Sequence, residues 1–328
     1  MNDKVLESVI EITEQKNSLA LSYSILATLS QLLPLSSATL FHHLGRSTVM
    51  VARLTITKDA DDGSTQYQWL YDQVCSDNGY IHKQTEMSFS LQPNGQYQCR
   101  CPIPIEEHFS AELCLHLNEP PEQYRLLIDG FAKIYRNYTV ILHESERDKL
   151  TGLLNRRTLE DRLRHTFAIN PTAEENHKLW IAMLDIDHFK AINDHFGHMI
   201  GDEILLMFAQ QMQHYFGHSA QLFRFGGEEF VIIFASGNEQ EINRQLDGFR
   251  HHIRRHDFPR IGELSFSAGF CSLRPGDYLP TILDHADKAL YYAKEHGRNQ
   301  VHCYENLCDE GKIASPQHHS SEDDVELF

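Results

Sequence analysis

The chain has 328 residues, of which 41% are hydrophobic and 23% charged, and its formal net charge is −17. This length suits two domains of about 150 residues each, and the composition is that of globular proteins rather than disordered or fibrous ones. The acidic balance argues against nucleic acid or anionic membranes as partners, because phosphate-rich surfaces attract basic proteins.

The N-terminus carries no targeting signal that we can identify. Residues 1–4 lack the basic segment and apolar core of a signal peptide. The longest apolar stretches, 19–35 and 230–234, are interrupted by polar residues or too short to cross a bilayer. We therefore expect a cytoplasmic protein without a membrane span.

The N-terminal half begins with helical spacing of apolar residues over 3–33, which Pro34 ends. Runs typical of strands follow at 38–43, 49–57, 67–74, 86–91, 96–105 and 111–117. This outline over residues 1–120 resembles a GAF- or PAS-like sensory domain. No residue pattern selects a ligand, so an unknown small molecule and a ligand-free dimerisation module both stay open.

Cysteines are scattered through the chain without a framework spacing, and there are seven of them, so reduced thiols are expected. Cys99 and Cys101 lie one residue apart in a predicted strand and could bind a metal or sense redox state. The simpler interpretation is that they are packing residues.

A second helix is predicted from Glu122, and residues 121–147 would link the two domains. Its apolar residues repeat at alternating steps of three and four, as in a coiled-coil seam: Tyr124, Leu127, Phe131, Ile134, Tyr138 and Ile141. The seam is shorter than three heptads. It is consistent with a homodimer and equally with a helix that packs on its own domain.

The C-terminal half alternates helices and strands. Helices are predicted at 159–167, 202–216, 239–253 and 279–296, and strands at 179–186, 221–225, 228–234 and 264–271. The strands at 221–225 and 228–234 form a hairpin, so we expect a mixed α/β (α+β) sheet layered against helices. Residues 305–328 are strongly acidic and are predicted to form a disordered tail.

Two pairs of carboxylates follow strand ends. Glu228 and Glu229 come after Gly226 and Gly227, a turn pair that favours positive φ at both positions. Asp185 and Asp187 stand at the end of the strand 179–186. Neighbouring carboxylates repel each other unless a cation balances them, and hard oxygen ligands suit Mg²⁺. These residues predict a Mg²⁺ site.

A longer set of motifs resembles the GGDEF family of diguanylate cyclases. Residues 226–230 read Gly-Gly-Glu-Glu-Phe, the GGEEF form of the family signature. The stretches 148–157 (Asp-Lys-Leu-Thr-Gly-Leu-Leu-Asn-Arg-Arg), 185–190 (Asp-Ile-Asp-His-Phe-Lys), 193–194, 197–198, 201–202 and 286–299 match the rest of the family pattern. The resemblance covers about residues 148–302, within a predicted cyclase domain of residues 148–304, and implies a nucleotidyl-cyclase-like sheet, mainly antiparallel and flanked by helices.

The resemblance also implies roles for individual residues. Asp185, the main-chain carbonyl of Ile186 and Glu228 would hold Mg²⁺, for which Mn²⁺ could substitute. Glu229 would accept the proton of the attacking 3′-hydroxyl group or serve a second metal. Arg224 would lie near the transferring phosphoryl group.

The same resemblance assigns the substrate-binding residues. Asn193 and Asp202 would bind the guanine edge, because a carboxylate accepts from guanine's N–H groups and an amide can donate to its carbonyl oxygen. His198 would lie close to the nucleotide. The triphosphate would pair with three cations: Lys190, Lys294 and Arg298. We expected Lys294 and Arg298, four residues apart, to share one helical face.

The implied activity is the condensation of two GTP molecules to cyclic di-GMP and two pyrophosphates by a homodimer. Three alternatives remain: a catalytically silent GGDEF receptor that binds GTP or cyclic di-GMP and signals by contact, another nucleotide cyclase with the same metal chemistry, and an interaction protein that acts through its N-terminal half.

Overall fold

The computed structural model describes residues 2–44, 47–58, 64–75, 86–106, 109–169, 179–217, 219–234, 237–273 and 278–314. The chain divides into two compact units, Met1–Glu146 and Arg147–Phe328. Among the described residues, no helix has the length and apolarity needed to span a membrane.

The first unit opens with two helices where the sequence predicted one. Helix α1 covers Asn2–Thr13 and α2 covers Ser18–Leu32. The break is stabilised by Asn17, whose side chain accepts a hydrogen bond from the N–H group of Ala20 at 2.8 Å. Asparagine is among the most favourable residues at this capping position. The prediction of a single helix was wrong because it followed apolar spacing and ignored this cap.

Six strands form an antiparallel sheet within the described part of this unit, in the order β3-β2-β1-β6-β5-β4. Their bounds are Leu35–Leu44 (β1), Ser47–Lys58 (β2), Thr65–Cys75 (β3), Ser88–Leu91 (β4), Tyr97–Glu106 (β5) and Phe109–Leu117 (β6). All six predicted strands overlap these. The type of sensory domain stays a prediction.

Cys99 and Cys101 belong to the hydrophobic core of this unit, and both are free thiols. Burial raises the pKa of Cys99 to about 12 and that of Cys101 to about 11. A thiol that stays protonated at neutral pH is a poor nucleophile and a poor metal ligand. Their position in β5 therefore favours the packing interpretation.

Helix α3, Arg125–Glu146, follows a 3₁₀ turn at Pro121–Tyr124. It packs on its own unit through a buried face that includes Phe131, Tyr135 and Leu142. Of the predicted seam, Ile141 remains 60% exposed, and Leu127 and Ile134 are only partly buried. The helix thus packs on its own domain, and its role in dimerisation stays a prediction.

The second unit contains a mixed sheet in the order β12-β11-β8-β10-β9-β7 within the described residues. Its strands are Leu154–Asn155 (β7), Leu179–Ile186 (β8), Ala220–Arg224 (β9), Glu229–Phe234 (β10), Phe266–Leu273 (β11) and Val301–Cys303 (β12). The central pairs β11-β8, β8-β10 and β10-β9 are antiparallel, and the two edge pairs are parallel. The predicted mixed, mainly antiparallel sheet is confirmed.

Helices cover both faces of this sheet, and alternate residues of β8 enter two different cores. Ala182 and Leu184 pack against the layer of α5, α6 and α7, whereas Ile181 and Met183 pack against α4, α8 and α9. The helices are Arg156–Ile169 (α4), Phe189–Phe196 (α5), His198–Phe216 (α6), Glu239–Arg255 (α7), Leu279–Glu295 (α8) and Tyr304–Asp309 (α9).

The ordered unit continues past residue 304, where the disordered tail was predicted to begin. Tyr304 and Leu307 of α9 are buried. Glu305 accepts hydrogen bonds from the N–H group of Ser272 at 2.8 Å and from its hydroxyl group at 2.6 Å. The prediction was wrong for this segment because it relied on the number of charges and did not consider the apolar residues Tyr304 and Leu307, which hold α9 against the domain. Residues 315–328, the rest of the predicted tail, lie outside the described residues.

Gly269 in β11 allows α8 to approach the sheet. A Cβ atom here would collide with main-chain atoms of α8, at Leu290 N and Ala286 O. The main chain of α8 cannot rotate away from the new atom as a side chain could. We therefore expect Gly269→Ala to destabilise the C-terminal unit by about 3 kcal/mol in denaturant unfolding. As a control, Gly130→Ala in α3 meets open space and should stabilise its helix by about 0.5–1 kcal/mol. Equal stability of Gly269→Ala and the wild type would contradict this packing.

Candidate active site

The two carboxylate pairs meet because β8 and β10 are neighbours. Asp185 and Glu229 are directly opposite each other in the antiparallel pair. The N–H group of Ile186 donates to the carbonyl oxygen of Glu228 at 3.4 Å. The end of β8 and the start of β10 therefore place Asp185, Glu228 and Glu229 at one edge of the sheet.

A pocket of about 160 Å³ opens at this edge, and its lining residues are Asp185, Ile186, Asp187, His188, Phe189, Lys190, Glu228, Lys294 and Arg298. The set includes all three predicted metal ligands and all three cations predicted for the triphosphate. It does not include Arg224, Glu229, Asn193, His198 or Asp202.

The acidic residues of the site carry shifted pKa values. Burial, and then the charge of Asp185, raises the pKa of Glu228 and likewise that of Glu229. Burial also raises the pKa of Asp185, although the ammonium group of Lys294, 2.8 Å away, opposes the rise. Burial thus disfavours the ionised forms of all three groups, the charge of Asp185 adds to this effect at the two glutamates, and a bound cation would favour the ionised forms.

Protein side chains alone do not complete a metal site here. Within the described residues no group of three His, Cys, Asp or Glu side chains could hold a metal ion. The predicted ligand set has two carboxylates, Asp185 and Glu228, and the main-chain carbonyl of Ile186. Such a partial set fits Mg²⁺, which usually keeps waters and substrate phosphates as its other ligands.

The turn before Glu228 differs from the one predicted. Neither Gly226 nor Gly227 has a φ in the left-handed region, so the expectation of positive φ at both was wrong. Four residues, 225–228, separate the strands, and a two-residue turn is therefore not required. A Cβ atom on Gly226 would lie 2.5 Å from the carboxylate of Glu229. A side chain at this position would therefore displace the carboxylate of Glu229.

Arg224 holds this turn in place. Its guanidinium group donates to the carbonyl oxygens of Gly226 at 3.2 Å and Gly227 at 2.8 Å, and to the carboxylate of Asp148 at 3.0 Å. Burial acts to raise the pKa of Asp148, but hydrogen bonds from Thr151 and Arg224 outweigh it and lower the value. These contacts connect the opening motif of the domain to the signature turn.

Asp187 was predicted to join Asp185 in binding Mg²⁺, but its carboxylate is used within the protein. It accepts hydrogen bonds from the hydroxyl groups of Ser265 and Ser267, both at 2.7 Å, and from the N–H group of Asn299 at 3.0 Å. With three donors and 5% exposure, Asp187 is satisfied without a cation. The ligand set that stays a prediction is Asp185, the main-chain carbonyl of Ile186 and Glu228.

Lys294 and Arg298 both reach the pocket, but not from one helical face as expected. Helix α8 ends at Glu295, and Arg298 lies in the following turn with a φ of 60°. The predicted helix was one residue too long, and Gly297 lies directly beyond it. The proximity of the two cations results from this turn.

The residues predicted to bind guanine lie on two adjoining helices. Asn193 is on α5, and His198 and Asp202 are on α6. Gly201 has no side chain, and the side chain of Asn193 packs directly against it, where a Cβ atom would clash. Asn193 is half-buried, whereas Asp202 and His198 are exposed. The helix junction thus presents an amide and a carboxylate at one end of α6.

Two features of the site were not predicted. The N-terminus of α5 opens at the pocket through His188, Phe189 and Lys190, and a helix N-terminus attracts anions. Arg156 places its guanidinium carbon 4.4 Å from the centre of the Phe225 ring, and its charge partly offsets the rise that burial causes in the pKa of Glu229. A strand followed directly by a helix could have indicated the helix N-terminus at the pocket. No local sequence pattern indicates the position of Arg156.

Comparison with known proteins identifies the second unit. The family described as "Diguanylate cyclase, GGDEF domain" matches residues 145–300. The diguanylate cyclase DgcZ of Escherichia coli is 33% identical over 172 residues, which are 51% of this chain and 55% of that protein. DgcP of Pseudomonas aeruginosa is 36% identical over 157 residues, which are 47% of this chain and 23% of that protein.

The chain is also similar to a solved structure. The active GGEEF domain of a diguanylate cyclase from Vibrio cholerae is 34% identical, covers 46% of this chain and is itself covered to 97%, with a TM-score of 0.43. The chain spans about half the length of DgcZ and less of DgcP. Residues 145–300 therefore form a GGDEF domain.

Proposed function

We propose that the protein is a diguanylate cyclase that condenses two GTP molecules into cyclic di-GMP and two pyrophosphates. The observation that carries the proposal is the pocket at the end of β8, where Asp185 and Glu228 converge with Lys190, Lys294 and Arg298. Two carboxylates beside three cations and a helix N-terminus suit a metal-bound triphosphate.

Asp185, Glu228 and the carbonyl oxygen of Ile186 would hold Mg²⁺, or Mn²⁺ in its place. A bound divalent ion would spread the developing negative charge of the α-phosphate and lower the pKa of the attacking hydroxyl group. Lys190, Lys294 and Arg298 would bind the triphosphate and stabilise the departing pyrophosphate. Lys294 already neutralises Asp185 at 2.8 Å, so its charge would be shared between that carboxylate and the phosphates.

Glu229 would accept the proton of the 3′-hydroxyl group. Its raised pKa supports this role, because a base works best when its pKa lies closer to the operating pH. The guanidinium group of Arg224 donates its hydrogen bonds to Asp148 and to the carbonyl oxygens of Gly226 and Gly227. In this proposal it positions the two glutamates beside the transferring group rather than touching the phosphates.

The product joins two nucleotides symmetrically, so two GGDEF domains must each present one GTP. We propose that the working form is a homodimer and that the first unit controls how often the two sites meet, with an unidentified small molecule as its signal. The exposed Ile141 and half-exposed Ile134 of α3 are the residues proposed for this contact. Because GTP is held inside cells, the proposed activity implies a cytoplasmic enzyme.

The test is chromatography of the nucleotide products after incubation of the purified chain with GTP and Mg²⁺, in parallel with Glu229→Ala. We expect cyclic di-GMP from the wild type, none with ATP, and a loss of turnover of at least about a hundredfold in the variant. GTP binding without any product would refute the cyclase and favour the silent receptor. Product from ATP would favour another nucleotide cyclase.

A further inference from the structure

We infer that Asp187 and Asn299 are positioning residues for nucleotide binding, which they support by fixing the turn that carries Arg298. The inference rests on the proposed function, because it assigns Arg298 to the phosphates of GTP. It concerns two residues that do not themselves contact the nucleotide. Asp187 lies in the pocket wall and Asn299 follows Arg298 directly.

The turn is unusual because three consecutive residues have left-handed backbone conformations. Gly297, Arg298 and Asn299 have φ values of 111°, 60° and 48°. Such conformations cost residues other than glycine about 1 kcal/mol or more and persist only where surrounding contacts hold them. Asparagine tolerates this region better than most residues, whereas arginine has no such advantage. Something outside the turn must therefore hold Arg298.

Asp187 supplies one of those contacts. Its carboxylate accepts the N–H group of Asn299 at 3.0 Å, and two serine hydroxyl groups, from Ser265 and Ser267, hold the same carboxylate at 2.7 Å. Ser267 is fully buried in β11. The turn is thus fastened to a rigid part of the sheet through a charged acceptor, and such hydrogen bonds are stronger than neutral ones.

Asn299 is held from the other side as well. Arg250 of α7 donates to its side-chain oxygen at 3.1 Å and is itself held by Asp247 at 2.8 Å. Just beyond the turn, the N–H group of Ala268 donates to the carbonyl oxygen of Gln300 at 2.9 Å. Contacts from Asp187 and from Arg250 of α7 therefore fix Asn299, and a contact from β11 fixes Gln300 beyond it.

The consequence for binding is entropic. An arginine in a free turn would lose both backbone and side-chain freedom on contacting a phosphate, and that loss weakens binding. With its backbone already fixed, Arg298 loses only side-chain freedom. The carboxylate of Asp187 thus improves the affinity for an anion although it is itself negative.

Substitutions at Asn299 separate backbone conformation from other effects. Asn299→Gly and Asn299→Val both lose the contact to Arg250, but only glycine accepts a positive φ readily. GTP binding would be measured by calorimetry with Mg²⁺ on chains that carry Glu229→Ala, so that turnover does not interfere. We expect Asn299→Val and Arg298→Ala each to weaken binding roughly tenfold, and Asn299→Gly by less than about threefold.

The double variant Arg298→Ala/Asn299→Val should bind no more weakly than Arg298→Ala, because both changes remove the same contact. Ser267→Ala offers a second route, since it removes a donor to Asp187. Its matched control is Ser272→Ala on the same strand, whose hydroxyl group instead donates to Glu305. Ser267→Ala should weaken GTP binding several-fold, and Ser272→Ala should leave it unchanged.

Two results would overturn the inference, provided that Arg298→Ala still binds GTP weakly. One is that the losses of affinity add up in the double variant, and the other is that Asn299→Val and Ser267→Ala both bind GTP as tightly as their parent. If Arg298→Ala bound GTP as tightly as its Glu229→Ala parent, Arg298 would not contact the phosphates. That result would count against the proposed function, so the two failures are distinguishable.

Discussion

Replacing Glu228 with glutamine is expected to reduce turnover of GTP by about a thousandfold and, at the same time, to stabilise the GGDEF domain. Metal ligation supplies several kcal/mol of transition-state stabilisation, and each 1.4 kcal/mol is worth about tenfold in rate. The gain in stability has a separate origin. Burial and the charge of Asp185 raise the pKa of Glu228, so its ionised form is unfavourable in the folded chain.

The same shift sets a pH dependence. A carboxyl group with a raised folded pKa contributes no penalty below its unfolded pKa, and the penalty grows as pH rises through the window between the two values. Wild-type stability should therefore fall as pH rises from the ordinary value of 4.5 towards the raised one. Glu228→Gln should lack this part of the fall. At neutral pH the variant should therefore be more stable than the wild type and have the higher Tm.

Glu263→Gln is a suitable control, because this glutamate is 71% exposed and pairs with Arg254 at the surface. It should change neither turnover nor the pH profile of Tm. Turnover would be followed by product chromatography and Tm by thermal unfolding across pH. A Glu228→Gln variant with wild-type turnover would contradict the metal assignment, and one with an unchanged pH profile would contradict the electrostatic account.

Asp202→Asn is expected to lower kcat/KM for GTP by about a hundredfold or more. In the proposed complex the carboxylate accepts from the ring N–H and from the exocyclic amine of guanine, and hydrogen bonds to a charged group contribute about 1.5–3 kcal/mol each. Asparagine has only one acceptor oxygen, and its NH₂ group would face guanine's donors. The loss should fall on guanine recognition rather than on chemistry.

Inosine triphosphate makes this test specific, because it keeps the ring N–H group but lacks the exocyclic amine. The wild type should prefer GTP over ITP by about tenfold or more, and Asp202→Asn should lose most of that preference. Asp194→Asn on α5, also an exposed aspartate, should retain it. An unchanged GTP-to-ITP ratio in Asp202→Asn would refute the assignment of Asp202 to the guanine edge.

The sequence predicted the sheet of the GGDEF domain well because its strands are buried on both faces. The strand predicted at 179–186 agrees with β8, Leu179–Ile186. Six uninterrupted apolar residues, 179–184, mark such a strand clearly. Short elements were missed for the opposite reason. Helix α5 has eight residues, and β7 and β12 have two and three, so none contains enough residues to establish a period.

The candidate site was predictable where chemistry lies in local motifs, and not where it depends on distant contacts. Glu228 and Asp185 stand out as acids at strand ends. The partners of Asp187, by contrast, come from Ser265 and Ser267, about 80 residues away, and serine in a strand carries no signal of a carboxylate partner. Arg224 poses the same problem, since Asp148 lies 76 residues before it.

The two helix layers of the GGDEF domain have separate cores on opposite faces of one sheet, yet the pocket takes Lys190 from α5 in one layer and Lys294 from α8 in the other. A nucleotide bound there would act as a cross-link between the two layers. Its binding would then add RT ln(1 + [L]/Kd), for free ligand, to the free energy of unfolding of the whole domain. Under the proposed function, a higher concentration of GTP would thus increase the folded fraction of the domain as well as the rate of turnover.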